Sequence, residues 1–145
     1  VELLNNLKNK NVPIRINTNM HWNKNNKLFK ILKTFNNVQL TMSADALEEN
    51  FDYIRTGAKW KTFIENLKFI KQKTNFEIRI NTIFSIINAD TIYDTINFFY
   101  HKEKIKNITI NLLYRPIYLD ARNYPEQKKE NIIPCSIPKL HPERP

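Results

Sequence analysis

The sequence contains very little glycine and cysteine. Among its 145 residues there is one glycine and one cysteine. A single cysteine, Cys135, excludes a disulfide framework and any metal site built from several cysteines within these residues. One glycine argues against a glycine-rich loop that cradles a phosphate. No apolar run reaches the roughly 18 residues that a membrane helix needs, and no signal peptide is visible, so a cytoplasmic location is our default expectation.

The chain is strongly basic, with a formal net charge of +9 at pH 7. A basic chain can bind nucleic acid or an anionic membrane surface. Here the lysines are distributed along the outer faces of the predicted helices, and no pair of neighbouring strands carries the aromatic residues of an RNA-binding sheet. Heavy use of Lys, Asn and Ile is also what AT-rich coding DNA produces. We therefore expect no membrane partner and do not favour a nucleic-acid partner.

Four segments alternate aliphatic and polar residues, as half-buried strands do. The strands are predicted at Pro13–Asn19, Asn37–Ser43, Phe76–Phe84 and Asn107–Tyr114. Amphipathic helices are predicted between and before them, at Glu2–Lys8, Asn25–Phe35, Trp60–Lys73 and Ala89–His101, the last with Asn88 as its N-cap. The segment 44–59 is predicted to be a long polar connection, of the kind that carries functional residues in barrel proteins.

A strand, a helix and a second strand in that order normally form a parallel pair. We therefore expect an α/β protein with four parallel strands in chain order and helices on one face. Ile16, Leu40, Ile80 and Ile110 should lie under the helices, and Asn17, Thr41, Asn81 and Asn111 on the opposite face. A parallel sheet with one polar face is typical of a barrel or partial barrel whose lumen holds a polar ligand. The predicted architecture is a partial TIM-type (β/α) barrel.

Four strands cannot close a barrel, because a closed parallel barrel has eight units. We expect residues 1–115 to be a partial barrel that continues upstream in the same polypeptide. Six of the seven prolines fall between Pro116 and Pro145, so residues 116–145 are predicted to be an extended tail or linker toward an accessory domain, with a short helix beginning at Pro125.

The segment from the second strand to the third helix carries the most specific motif. The strand ends in Ser-Ala-Asp-Ala at residues 43–46, residues 51–57 read Phe-Asp-Tyr-Ile-Arg-Thr-Gly, and the helix contains Asn66-Leu67. This order resembles the fourth strand of radical S-adenosylmethionine (radical SAM) enzymes, most closely the members with a C-terminal twitch domain. Residues 18–20, Thr-Asn-Met, look like the Thr-Asn-Gly that closes the third strand of that family. Residues 81–88 are similar to its fifth strand.

The resemblance implies a fragment comprising strands three to six of a radical SAM barrel. The intact enzyme would use a reduced 4Fe-4S cluster to cleave S-adenosylmethionine to a 5'-deoxyadenosyl radical, which abstracts hydrogen from an unknown substrate, either a peptide or a small molecule. Met20 and Ala46 stand where the family has glycine. The Cys-x3-Cys-x2-Cys that binds the cluster is missing from this chain and would lie upstream, so the fragment alone should be inactive and should bind no metal.

Five residues are predicted to bind the cofactor. They are Asn19, Ser43, Asp45, Arg55 and Asn81. Ser43 and Asp45 offer a hydroxyl and a carboxylate for a ribose or an ammonium group. Arg55 offers a planar fork for the carboxylate of the methionine half, and the two asparagines face the same lumen. As alternatives, Ser43 or Asp45 caps the following turn, Arg55 pairs with Glu48 or Glu49, and the asparagines reflect composition. No catalytic residue can be named.

The remaining polar residues give weaker signals. His21, His101 and His141 lack metal-ligand spacing. Arg15, Arg79 and Arg115 either bind an anionic substrate or pair with Glu77 or Asp120. Cys135 is either without function or a ligand of an auxiliary cluster. Two other functions stay open: a cluster-free barrel enzyme for an anionic ligand, and a binding module that uses the polar sheet face for RNA or a protein.

Overall fold

The computed structural model of the chain describes residues 2–22 and 26–129. Asn25, Cys135 and His141, which enter the sequence-based predictions, lie outside the described residues. So does the greater part of the predicted proline-rich tail.

The protein is an α/β structure with a four-stranded parallel sheet. The strands are β1 (Ile14–Thr18), β2 (Val38–Ser43), β3 (Glu77–Phe84) and β4 (Ile108–Leu112). They lie side by side in the order β1-β2-β3-β4, and each neighbouring pair is parallel. The predictions of four parallel strands in chain order are confirmed, with boundaries within two residues of those predicted.

The two faces of the sheet differ as the alternation predicts. Val38, Leu40 and Met42 of β2 are buried, whereas the residues between them are half-buried. These buried side chains belong to one hydrophobic core together with residues of the helices. One expectation for this face is wrong. Ile110 of β4 is 39% exposed, although Ile108 of the same strand packs against the core.

Six α-helices are present in the described residues. They are α1 (Glu2–Asn6), α2 (Lys27–Leu32), α3 (Glu48–Ile54), α4 (Trp60–Lys73), α5 (Ile92–Asn97), which continues as one π-helical segment (Phe98–Lys102), and α6 (Glu126–Lys129). Helix α4 has the predicted boundaries, because its buried residues Phe63, Leu67 and Ile70 follow the helical period. No helix in residues 2–22 and 26–129 combines the length and apolar character needed to cross a membrane.

Two local predictions are wrong. The connection 44–59 is not a plain loop, because it contains α3, which buries Phe51 against the rings of Trp60 and Phe63 at centroid distances of 5.5 and 5.2 Å. Asn88 is not the N-cap of the following helix. That helix begins at Ile92 with Thr91 as its N-cap, because the Asn88 side chain is committed to the ends of two strands, as described below.

The described part of the predicted tail, residues 116–129, is not extended throughout. It contains two 3-10 turns (Ile117–Leu119 and Ala121–Asn123), followed by α6 directly after Pro125, as predicted. Tyr124 is buried in a small second core with Ala89 and Ile92, and its hydroxyl donates a hydrogen bond to Asp90. This part of the chain therefore packs beside the carboxyl end of β3.

The start of α4 depends on a carboxylate from another helix. Asp52 Oδ1 accepts a hydrogen bond of 2.6 Å from the Trp60 amide, and Lys59 Nζ lies 3.1 Å from Oδ2. These bonds, first the one from Trp60 and then the one from Lys59, hold the pKa of Asp52 below its ordinary value of 3.8. The ionised carboxylate therefore stabilises the folded state above that pH, and the stabilisation is lost as the pH falls through the lower pKa of the folded state.

We expect the variant Asp52→Asn to melt at a lower temperature than the wild type at neutral pH. The difference in Tm should close as the pH is lowered from about 7 to about 2, because protonation removes the same charge from the wild type. Thermal melting followed by circular dichroism across this range tests the prediction. A Tm difference that does not change with pH would show that the charge of Asp52 does not contribute.

Candidate functional site

The predicted cofactor-binding residues lie at the carboxyl edge of the sheet. Asn19 is the first residue after β1, and Ser43 is the last residue of β2. Asn81 of β3 is the register partner of Ser43. Parallel strands place their carboxyl ends at one edge, and this is where α/β proteins bind their ligands.

Asp45 and Arg55 form an ion pair just beyond this edge. Arg55 Nη2 lies 2.7 Å from Asp45 Oδ2, and the two side chains are 20% and 7% exposed. The second oxygen, Asp45 Oδ1, accepts a hydrogen bond of 2.7 Å from the backbone amide of Ile83 in β3. The alternative that Asp45 caps its own turn is therefore wrong, because its carboxylate bridges two strands and a loop.

Arg55 keeps unused hydrogen-bonding capacity at this position. Its partner is Asp45, so the alternative pairing with Glu48 or Glu49 is wrong. Its Nε atom is buried and has no hydrogen-bond partner in the described part of the chain. An unpaired buried donor costs free energy, on the order of 1–3 kcal/mol, and each such group in a folded protein needs an explanation.

Helix α3 and the turn after it bring Arg55 back to the sheet. The Arg55 amide donates to Phe51 O at 2.9 Å, and the Ala58 amide donates to Arg55 O at 2.8 Å. Gly57 has φ +88°, a left-handed conformation that glycine adopts without a steric cost. The buried Phe51 ring anchors the helix, so the position of Arg55 follows from core packing as well as from its ion pair.

A cleft lies beside the ion pair at the ends of β2, β3 and β4. Its volume is about 400 Å³, within the range of roughly 300–1,000 Å³ that is usual for small-molecule sites. Asp45, Thr56 and Ser85 contribute polar groups to its wall. The remaining lining is mostly apolar and aromatic, with Tyr53, Ile54, Ile83, Ile87, Leu113 and Leu119. A ligand with an uncharged body and one polar end would fit this composition.

The loop after β1 is fixed by a buried asparagine of α4. Asn66 Nδ2 donates hydrogen bonds of 2.7 Å to Met20 O and 2.9 Å to Trp22 O. Met20 has φ +58°, in the left-handed region where a residue with a side chain is disfavoured and glycine is preferred. Asn66 therefore couples α4 to the loop that carries Asn19.

The other predicted binding residues have modest local partners. Asn19 Oδ1 accepts a hydrogen bond from the His21 amide at 3.1 Å, and Asn81 Oδ1 accepts one from Asn111 Nδ2 at 2.6 Å. The Ser43 hydroxyl makes no hydrogen bond within the described residues. At the amino end of the same face, Glu77 accepts bonds from Gln39 and Arg79, which lower its pKa. The polar side chains at that end of the face are therefore largely hydrogen-bonded to one another.

The weaker candidates have internal partners or none that suggests chemistry. Arg79 pairs with Glu77 at 2.9 Å, one of its predicted alternatives. Asp120 pairs with Arg122 rather than Arg115, and the Arg122 side chain, through its hydrogen bonds, keeps the pKa of Asp120 below its ordinary value. In residues 2–22 and 26–129, no three His, Cys, Asp or Glu side chains lie close enough together to hold a metal ion.

Sequence reasoning missed the role of two polar residues at the strand ends. Thr82 Oγ1 donates a bond of 2.6 Å to Ala44 O, and Asn88 Nδ2 donates one of 2.7 Å to Asp45 O. Both side chains are buried. Thr82 stands at an aliphatic position of β3, and such a break in the alternation was the signal available in the sequence.

Comparisons with known proteins add no assignment. No protein-family model matches the chain, and no curated protein matches it. The fold and the site thus define an α/β protein with a four-stranded parallel sheet and a polar carboxyl edge.

Proposed function

We propose that this chain is part of the barrel of a radical SAM enzyme. In this proposal the four strands are consecutive strands of a partial (β/α) barrel, and the polar face lines its lumen. The parallel order β1-β2-β3-β4 and the clustering of polar residues at the carboxyl edge support the proposal. Asn19, Ser43, Asp45, Arg55 and Asn81 would bind S-adenosylmethionine.

The observation that carries the proposal is the buried, unpaired Nε of Arg55, whose ion-pair partner Asp45 lines the cleft. A guanidinium group binds a carboxylate through two parallel N–H donors. In Arg55, Nη2 pairs with Asp45, and the buried Nε has no acceptor among the described residues. The methionine carboxylate of S-adenosylmethionine fits this donor, and the apolar cleft fits the uncharged part of the nucleoside. The residues present are thus compatible with this cofactor.

Two features of the loop after β1 give independent support. The resembled motif has glycine where this chain has Met20, and Met20 has the positive φ that a glycine would serve. The Asn-Leu pair of the motif corresponds to Asn66-Leu67, and Asn66 anchors that same loop. Two motif positions that are distant in sequence, Met20 and Asn66, therefore both determine the conformation of this loop.

The iron-sulfur cluster does not fit the residues present. Three of its four irons each need a thiolate ligand, and the chain has one cysteine, Cys135. The proposal therefore requires a Cys-x3-Cys-x2-Cys motif elsewhere in the same polypeptide. Such a cluster would supply the electron that cleaves S-adenosylmethionine to the radical that abstracts hydrogen from the substrate.

A second candidate is a cluster-free barrel protein that binds an anionic ligand on the polar face. It is favoured by the charges on that face, where Arg15 and Arg79 stand against Glu77. Glu77 already pairs with Arg79. Of these two arginines, Arg15 is therefore the one that has no hydrogen-bonded carboxylate among the described residues. Such a protein would bind its anion without any cysteine motif.

The coding sequence upstream of Val1 tests the proposal most directly. We expect it to encode the three-cysteine motif ahead of β1, and the full-length protein, reconstituted without oxygen, to bind about four iron and four sulfide ions per chain. The 145-residue chain alone should bind no stoichiometric iron, because it has one cysteine. A complete reading frame without the motif, or stoichiometric iron and sulfide in the 145-residue chain, would contradict the proposal.

A further inference from the structure

The side chain of Asn88 connects two strand ends and uses all of its hydrogen-bonding positions to do so. It is 1% exposed. Its Nδ2 donates to Asp45 O at 2.7 Å and to Ile83 O at 2.8 Å, and its Oδ1 accepts from the Ser85 amide at 2.8 Å and from the Ser85 hydroxyl at 3.2 Å. A side-chain amide has two donors and two acceptor positions. All four are therefore occupied, and they tie the ends of β2 and β3 together.

These bonds close a ring around Asp45. The carbonyl of Asp45 is held by Asn88, and its carboxylate is held by the Ile83 amide at 2.7 Å. Ile83 is itself bound to Asn88 through its own carbonyl. Both the backbone and the side chain of Asp45 are thus fixed by β3 and the turn that follows it, and the carboxylate in turn holds Arg55 Nη2 at 2.7 Å.

We propose that Asn88 is a positioning residue for Arg55. By fixing Asp45, which lines the cleft, it fixes the guanidinium group in the orientation in which Nε is unpaired. This inference rests on the proposed function, because it assigns the Arg55 guanidinium to the cofactor. It concerns a residue that would not touch the ligand: its polar atoms are all used inside the protein.

An amide is required here by the chemistry of its partners. The two partners on one side, Asp45 O and Ile83 O, are carbonyls and need a donor, whereas the Ser85 amide needs an acceptor. A carboxylate at this position would keep the acceptor but has no N–H to offer. We therefore expect Asn88→Asp to behave like Asn88→Ala toward the ligand, although it retains the shape of the side chain.

A residue that affects binding independently of Arg55 would behave differently. Its loss would reduce the affinity by the same factor whether or not Arg55 is present. A residue that acts through Arg55 should have no further effect once Arg55 is gone. A double-mutant cycle measures this difference, because neighbours that act through one another are non-additive.

The experiment uses the full-length reconstituted protein and isothermal titration with S-adenosylmethionine. We expect Asn88→Ala, Asn88→Asp and Arg55→Ala each to weaken binding at least about tenfold, and Arg55→Ala combined with Asn88→Ala to be within about twofold of Arg55→Ala alone. Urea unfolding of each variant establishes that it is folded at the titration temperature. Thr95→Val is the matched control: it removes a buried hydroxyl that bonds to Thr91 O within its own helical segment, and it should leave the affinity unchanged.

The possible failures are distinguishable. If Arg55→Ala binds like the wild type, the proposed cofactor site is wrong and the role of Asn88 falls with it. If Arg55→Ala weakens binding but Asn88→Ala does not, the cofactor site stands and the positioning role is wrong. If the two losses add fully in the double variant, Asn88 does not act through Arg55, and the positioning role is again wrong.

Discussion

Replacing Arg55 with alanine is expected to weaken the binding of S-adenosylmethionine to the intact protein at least about tenfold. In the proposed site, the substitution would remove a charge-assisted hydrogen bond to the cofactor carboxylate, which contributes roughly 1.5–3 kcal/mol. It would also leave Asp45 without its counter-charge, and in the proposed site this carboxylate would repel that of the cofactor. Isothermal titration of the reconstituted full-length protein measures the effect directly.

Two further variants distinguish the effect of the planar donor group of Arg55 from the effect of positive charge. Arg55→Lys keeps the positive charge but has no Nε donor and no planar fork, so its affinity should lie between those of the wild type and Arg55→Ala. Lys68→Ala removes a cation from the exposed side of α4 and should change nothing. Binding by Arg55→Ala that equals the wild type would leave a polar sheet edge without a ligand and would favour the cluster-free barrel protein.

The sheet was predictable because its signal is local and repeated. Each strand alternates aliphatic and polar residues over at least five positions, and the order of strands and helices favours parallel pairing. Helix α4 was predictable to the residue because Phe63, Leu67 and Ile70 repeat at helical spacing. These patterns depend on neighbours in sequence and on the side of each element that is buried, and both can be read without the structure.

Helix α3 was missed although its apolar spacing is present. Leu47, Phe51 and Ile54 are separated by four and three residues, the spacing of one helical face. The first turn of the helix carries two carboxylates, Glu48 and Glu49. A helix of seven residues is nevertheless too short to be stable without tertiary packing. Its formation depends on the burial of Phe51 beside Trp60 and Phe63, which the segment alone does not specify.

The pairing of Asp45 with Arg55 could not be read from the sequence for a related reason. The two residues were assigned to the same site. The carboxylates of Glu48 and Glu49, which are nearer to the arginine in sequence than Asp45 is, were equally reasonable partners for it. The choice depends on α3 and on the turn at Gly57, which return the chain to the end of β2. Asn88 was likewise assigned a local cap, because its actual acceptor, Asp45 O, lies 43 positions away in the chain.

The variant Asp45→Ala is expected to lower the free energy of unfolding by about 3 kcal/mol. Removal of the carboxylate leaves the Ile83 amide without its acceptor and leaves a largely buried guanidinium group without its counter-charge. An unsatisfied buried donor costs roughly 1–3 kcal/mol, and the loss of one partner of a buried ion pair costs more than the pair itself contributes. Urea unfolding at neutral pH, followed by circular dichroism, measures the change.

The variants Asp45→Asn and Asp45→Ala/Arg55→Ala separate the two costs. Asn at position 45 can still accept the hydrogen bond from Ile83 but carries no charge, so it should lose less stability than Asp45→Ala. The double variant removes the unpaired guanidinium and should recover about 1 kcal/mol of the loss caused by Asp45→Ala, because a buried charge without a partner is more costly than no charge. Equal stability of Asp45→Ala and the wild type would mean that the carboxylate does not bridge the ends of β2 and β3. Arg55 would then have no fixed orientation at the carboxyl edge, and its assignment to a ligand would lose its structural basis.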